Sequence, residues 1–162
     1  DRVSEIAWLT DQYWLRDLLF GYVMEANRIA FGIDVQNVAD IQFTEYQGDK
    51  QGRFDSHNDV LWTEERSFDR KIRVKVQLSD PADYHGGAFE FSDWPSPENS
   101  RGQGTVLVFP SCLTHRVAPV AQGTRRSLAS RRSRRRARAT ASSGQLRVEQ
   151  YLGPRRHAYI PK

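Results

Sequence analysis

The stretch Ile72-Arg73-Val74-Lys75-Val76-Gln77-Leu78, closed by Ser79-Asp80-Pro81, decides the fold. β-Branched residues suit a pleated surface and Ser-Asp-Pro is turn chemistry, so residues 72–78 read as a strand. Side chains two apart on a strand share a face, which groups Arg73, Lys75 and Gln77. The same texture recurs at residues 41–46, 53–57, 88–91, 105–109 and 113–118, with a further strand beginning near Arg125. Turn residues such as Gln47-Gly48-Asp49, Gly86-Gly87 and Pro95-Ser96-Pro97 separate these strands. Before Asn37 the period is different. Leu15, Leu18, Leu19, Tyr22, Ala26 and Ile29 recur at three- and four-residue spacing and predict one amphipathic helix over 11–30. Thr10 is placed to cap it, Asp11 suits the positive end of its dipole, and Gly32 can end it. One helix followed by many short strands predicts a mainly β fold with helical backing, a sandwich or barrel rather than a parallel α/β sheet.

A chain of 162 residues with 38% hydrophobic content is the size of one domain that buries its own core. The single cysteine, Cys112, cannot form an internal disulfide and reads as a small buried strand residue; a cytoplasmic setting is the expectation, and a removed leader stays open. No apolar run reaches the roughly 20 residues of a membrane span. The formal charge of +4 conceals two unlike parts. Residues 1–124 carry 12 Lys/Arg against 19 Asp/Glu, net −7, and residues 125–162 carry 12 against one, net +11. The basic character is therefore local and is no nucleic-acid signature of the whole chain.

Four histidines can be weighed singly: His57, His85, His115 and His157. His57 ends a predicted strand in His57-Asn58-Asp59, so an imidazole and a carboxylate can face one ion, and His115 from a distant strand would complete a facial triad with open positions. H-x-D alone is weak. The segment His115-Arg116-Val117-Ala118-Pro119-Val120-Ala121-Gln122-Gly123-Thr124-Arg125-Arg126-Ser127 strengthens it. A strand through Pro119 that turns near Gly123 and returns antiparallel would set Arg125 toward the same cavity, where a guanidinium fork can grip a dicarboxylate. His85, beside Gly86-Gly87, reads as exposed, and His157 lies in the tail. Trp8, Trp14, Trp62 and Trp94 read as core or loop anchors, with Trp62 near enough to His57 and Asp59 to line a substrate entrance.

In this combined order and spacing the chain resembles the prolyl-4-hydroxylase-like group of Fe(II)- and 2-oxoglutarate-dependent dioxygenases, of the bacterial and phage type. The matching stretches are Ser4-Glu5-Ile6-Ala7-Trp8-Leu9, Gln42-Phe43-Thr44-Glu45-Tyr46, His57-Asn58-Asp59, Val76 to Pro81 with Tyr84 and Gly86-Gly87, and Val108-Phe109-Pro110-Ser111 leading to His115, Arg125 and Ser127. They cover most of Ser4 to Leu128. The resemblance implies a double-stranded β-helix, a cupin-like jelly-roll, with Fe(II) held by His57, Asp59 and His115. It implies Arg125 as partner of the distal carboxylate of 2-oxoglutarate, with Tyr46, Gln77 and Ser127 around the oxoacid. The implied reaction hydroxylates an unactivated C–H bond and turns 2-oxoglutarate and O₂ into succinate and CO₂, with ascorbate as an accessory reductant. Asp59 sets the chain apart from related halogenases, which lack a ligand there. Substrates of the group include prolyl residues of peptides, other proteins and small molecules. Arg73 and Lys75 hint at an acidic substrate if their face lines the pocket, and otherwise face solvent.

The likeness stops after Leu128. Residues 129–145 form an Arg-rich segment without apolar period, with the look of a shifted reading frame or a basic, disordered extension, and 146–162 form a tail. Unpaired arginines cannot be buried, so the run Arg131 to Arg138 is expected outside the core and the last strand is expected to be short, loosening the wall behind Arg125. Two competing readings follow. One is a jelly-roll binding module without turnover. The other, ranked third, is nucleic-acid binding through Arg131 to Arg138, which no aromatic residue interleaves.

Overall fold

The structure is a computed structural model that describes residues 1–35, 41–60, 72–97 and 99–130 and the backbone of 158–159. Trp62 and the run Arg131 to Arg138, on which two of the expectations rest, lie outside the described residues. Two antiparallel sheets face one another. The smaller has the order β1 (Arg2–Val3), β4 (Arg53–His57), β9 (His115–Val117), β7 (Phe89–Phe91). The larger runs β11 (Ala158–Tyr159), β8 (Val106–Pro110), β5 (Ile72–Gln77), β10 (Val120–Ser130), β3 (Ile41–Gln47), β2 (Glu5–Leu9), and β6 (Tyr84–Gly86) pairs with one end of β10. Among the described residues only β11 joins in parallel, to β8. This is the mainly β sandwich that the strand texture predicts and the jelly-roll that the resemblance implies.

The strand period of two sorts the core into two clusters. On the outer face of the large sheet, Ile41, Phe43, Val74, Val76, Val106, Val108 and Leu128 pack under Leu15, Leu19, Val23 and Ala26 of α1 (Tyr13–Ala26). On the inner face Tyr46, Leu107 and Phe109 meet Phe89, Phe91 and Val117 of the small sheet. Full burial of one such side chain stabilises by roughly 1.5–3 kcal/mol.

The helix differs from its expected form at both ends. Gln12, not Thr10, holds the N-cap position, and no side chain bonds there. At the other end Asn27–Phe31 widens into a π turn that Gly32 closes at φ +60°. Buried Asn27 clamps that exit, donating from Nδ2 to the Ile33 carbonyl at 2.7 Å and accepting from the Ile33 amide at 3.0 Å. Leu18 and Ile29, counted in the apolar stripe, point outward at 42% and 59% exposure, because the buried arc is set by Leu15, Leu19, Val23 and Ala26. Trp8, Trp14 and Trp94 are likewise exposed rather than core. Cys112 is exposed in the turn after β8, not buried in a strand. Among the described residues no helix is long and apolar enough to cross a membrane.

The last strand corrects two expectations. No hairpin turns at Gly123: β9 and β10 belong to different sheets, and Val120–Ser130 is one continuous strand. Gly123 sits inside it at φ +72°, beside a register shift against β6, with no room for a Cβ against the Asp83 carbonyl. Nor is the strand short. It passes Leu128 to Ser130, paired with β3 over Thr124 to Ser130 and with β5 over Ser127 to Ala129, so Arg125 stands within a paired strand.

Candidate metal and oxoacid site

The antiparallel pairing of β4 and β9 makes His57 and His115 direct cross-strand partners. Asp59 follows two residues after β4 ends, and its amide donates to the Ser111 carbonyl at 3.1 Å, which ties the ligand loop to the turn after β8. The ligand atoms of the three side chains lie within 4.8 Å of one another. His57 Nδ1 lies 2.7 Å from the Asp55 carbonyl and His115 Nδ1 lies 2.9 Å from the Leu113 carbonyl. A carbonyl can only accept, so each Nδ1 is the protonated nitrogen and each Nε2 keeps its lone pair for an ion.

Burial favours the neutral form of both imidazoles. Burial lowers the pKa of His57 and lowers that of His115 from 6.5 to about 4. The 3.5 Å approach of His115 Nε2 to Asp59 Oδ2 is therefore two ligands facing a common point and not a salt bridge. Phe89, Phe91 and Phe109 surround the His115 ring at centroid distances of 5.4, 6.4 and 5.2 Å, and Phe54 stacks on His57 at 3.7 Å. This apolar collar is the source of the desolvation.

Asp59 is 9% exposed. Its Oδ2 lies 2.7 Å from Arg73 Nε, an ion-pair distance, yet it has no aligned hydrogen bond among the described residues. A buried carboxylate oxygen left short of donors beside two neutral imidazole lone pairs fits a divalent cation. These residues could hold Fe(II) and leave coordination positions open.

A cavity of about 160 Å³ opens beside the three ligands and is lined also by Gln42, Thr44, Tyr46, Arg73, Lys75 and Ser127. The face of β5 that carries Arg73 and Lys75 thus lines the pocket; at 8% and 9% exposure neither residue faces solvent, nor stands at an entrance. Arg125 lies behind this cavity, 2% exposed, with its guanidinium beside Tyr84 and its guanidinium carbon 5.7 Å from the Tyr46 ring centroid, and its Nη1 has no hydrogen-bond partner among the described residues. Gly87, at φ +60°, makes room for it, since a Cβ there would lie 3.1 Å from Arg125 Cδ. Gln77 shares the inner face but is turned to its neighbours, donating to the Tyr84 hydroxyl at 3.0 Å and the Ser79 carbonyl at 3.2 Å. Ser127 stands across from Thr44 and Gln77 in register. His85 is exposed on β6, outside the site.

Arg2 escapes the sequence reading. From β1 its Nε donates to Ser4 Oγ at 2.7 Å and Nη2 to Thr44 Oγ1 at 3.2 Å, while its guanidinium carbon lies 4.7 Å from the Phe54 ring, so it closes one side of the cavity. No motif marks it; only the pairing of Arg2 with Phe54 and Val3 with Arg53 brings it there.

Two imidazoles and one carboxylate whose ligand atoms converge beside a cavity are a donor set that could hold one divalent cation such as Fe(II). Comparison with known proteins narrows the class. Residues 41–130, more than half the chain, match the family model described as 2OG-Fe(II) oxygenase superfamily. The chain belongs to that superfamily. A PKHD-type hydroxylase of Aliarcobacter butzleri (strain RM4018) is 30% identical over 79 residues, 46% of this chain, and the match spans only 35% of that relative's length. Two solved structures share the fold. The viral collagen prolyl hydroxylase of Paramecium Bursaria Chlorella virus-1, in complex with 2-oxoglutarate, matches at TM-score 0.64 and 18% identity, over 79% of this chain and 77% of that one. A Pseudomonas putida prolyl-4-hydroxylase matches at TM-score 0.60 and 20% identity, over 82% and 73%.

Proposed function

We propose that the protein is an Fe(II)- and 2-oxoglutarate-dependent hydroxylase acting on an unactivated C–H bond, with a prolyl or other residue of a peptide or protein, or a small molecule, as substrate. The observation that carries this reading is the convergence of two neutral imidazoles and an under-bonded buried carboxylate beside a cavity walled by cations. When bound, Fe(II) and 2-oxoglutarate would let O₂ act as the oxidant, one oxygen atom entering the substrate C–H bond and the other converting 2-oxoglutarate into succinate and CO₂, with ascorbate as an accessory reductant.

The chain's own residues supply geometry and exclusion of water. His57, Asp59 and His115 would hold the metal on one side only. The backbone carbonyls of Asp55 and Leu113 fix both ring orientations, and Arg73 steadies the Asp59 carboxylate. The phenylalanine collar keeps the metal side dry. Arg125 would meet the distal carboxylate of the oxoacid, with Tyr46 and Ser127 beside it and Gln77 holding Tyr84 in place behind. The unbroken β10 favours a working pocket over a binding module without turnover, because the strand that carries Arg125 is paired on both edges. O₂ uptake with added Fe(II) tests the proposal: it should depend on 2-oxoglutarate, yield succinate, and vanish in Asp59→Ala. Uptake absent in the wild-type chain, or indifferent to the oxoacid, would refute it.

A further inference from the structure

We infer that Lys75 is a second cation of the oxoacid site, contacting a carboxylate of 2-oxoglutarate between the metal ligands and Arg125. The inference rests on the 2-oxoglutarate reading above and adds to it a residue that a single-arginine anchor does not need.

Lys75 lies on the inner face of β5, in register with Ala129 of β10 on one side and Leu107 of β8 on the other. Ala129 is four residues along β10 from Arg125, about 13 Å at the rise of a strand, so two long side chains can converge on the gap from its two ends. Two residues before Lys75, Arg73 reaches Asp59, which puts Lys75 next to the level of the metal ligands. It lines the same cavity as His57, Asp59 and His115. Its Nζ stands 4.1 Å from the centroid of Phe89, whose ring is 5.4 Å from that of His115.

Lys75 is 9% exposed, and among the described residues no carboxylate lies within ion-pair distance of its amine, which donates no hydrogen bond. Its compensation is stacking over the Phe89 ring and the longer-range attraction of Asp59. The carboxylate in the cavity, Asp59, is engaged by Arg73 and faces the two histidines. A cation buried in this way is costly unless an anion arrives to share its surroundings. A bound dicarboxylate would bring to Lys75 the anion that the described residues do not supply within ion-pair distance. A packing role is a poor explanation, since Met or Leu would fill the same space beside Phe89 without the desolvation cost.

The test uses the full chain loaded with Mn(II), a redox-inert stand-in for Fe(II), and titrates 2-oxoglutarate by calorimetry. Lys75→Met should raise the Kd for 2-oxoglutarate by about tenfold or more, the size of one lost charge-assisted contact, with Mn(II) affinity unchanged. Lys75→Arg should keep most of the affinity. The metal-free Lys75→Met chain should melt at or above the wild-type temperature, which separates loss of a contact from loss of the fold. Equal oxoacid affinity in wild type and Lys75→Met would overturn the inference and assign the amine to the substrate or to packing. Joint loss of Mn(II) and oxoacid binding would overturn it too, by making Lys75 structural. Failure of the Mn(II)-loaded wild type to bind 2-oxoglutarate would instead bring down the reading on which it rests, before any substitution is made.

Discussion

The two faces of the large sheet use the same strands for opposite ends. On β5, Val74 and Val76 point outward into the contact with α1, while Arg73, Lys75 and Gln77 point inward. On β3 the outward Ile41 and Phe43 alternate with inward Gln42, Thr44 and Tyr46, and on β10 outward Leu128 sits between inward Ser127 and Ala129. The outer face is apolar and carries stability. The inner face, toward the ligands, is buried yet polar, and among the described residues Lys75 and Arg125 on it have no carboxylate within ion-pair distance. Buried polarity of that kind lowers stability and is kept where a ligand completes it.

The sharpest way to break this division is at the metal ligands. His57→Ala, Asp59→Ala and His115→Ala should each abolish saturable Fe(II) binding, since a three-ligand site has no spare donor, and His85→Ala should bind as wild type. Iron binding that survives without His115 would show that the inner face serves something else. Next in size is the outer face. Leu19→Ala, emptying a site that is 1% exposed under the sheet, should cost about 2–5 kcal/mol in denaturant unfolding while leaving Fe(II) affinity near wild type in the folded fraction.

A smaller effect distinguishes oxoacid from metal on the inner face. Arg125→Ala should weaken 2-oxoglutarate binding by roughly tenfold or more, a loss of about 1.5–3 kcal/mol, and spare Fe(II). Competition titrations would read both, and unchanged oxoacid affinity would move the anchor elsewhere. The smallest effect is confined to mildly acid solution. His115 has its pKa lowered from 6.5 to about 4, so below pH 6.5 the unfolded chain takes up a proton that the folded chain refuses. The stability of the metal-free protein should fall as pH drops from 6.5 toward 4, and His115→Asn should flatten that slope in pH-dependent melts.

The legible parts of the fold were those with strong local chemistry. Turn residues bracket the strands closely enough that Arg53–His57 is bounded as expected, and Ile41–Gln47 and Ile72–Gln77 differ from expectation by one residue at an end. The cluster of His57, Asp59 and His115 was legible because two of the three stand two residues apart and histidines are few. Gly123 misled because a positive φ serves a bulge inside a strand as well as a turn between strands, and only the pairing of β10 with β3, β5 and β6 separates the two. The N-terminal strands were missed as elements, so Arg2 had no address. Arg73 and Lys75 could be placed on one strand face, but which side that face looked to depended on where α1 docks, a tertiary fact without a local signal.

On this reading His57, Asp59 and His115 form one iron site open to an oxoacid. Anaerobic titration of the full chain with Fe(II), with and without 2-oxoglutarate, tests it most directly. The expected result is saturation at one Fe(II) per chain and, on adding 2-oxoglutarate alone, a visible charge-transfer band that is absent from Asp59→Ala. Fe(II) that binds without saturating, or a saturated site whose spectrum does not respond to 2-oxoglutarate, would contradict it.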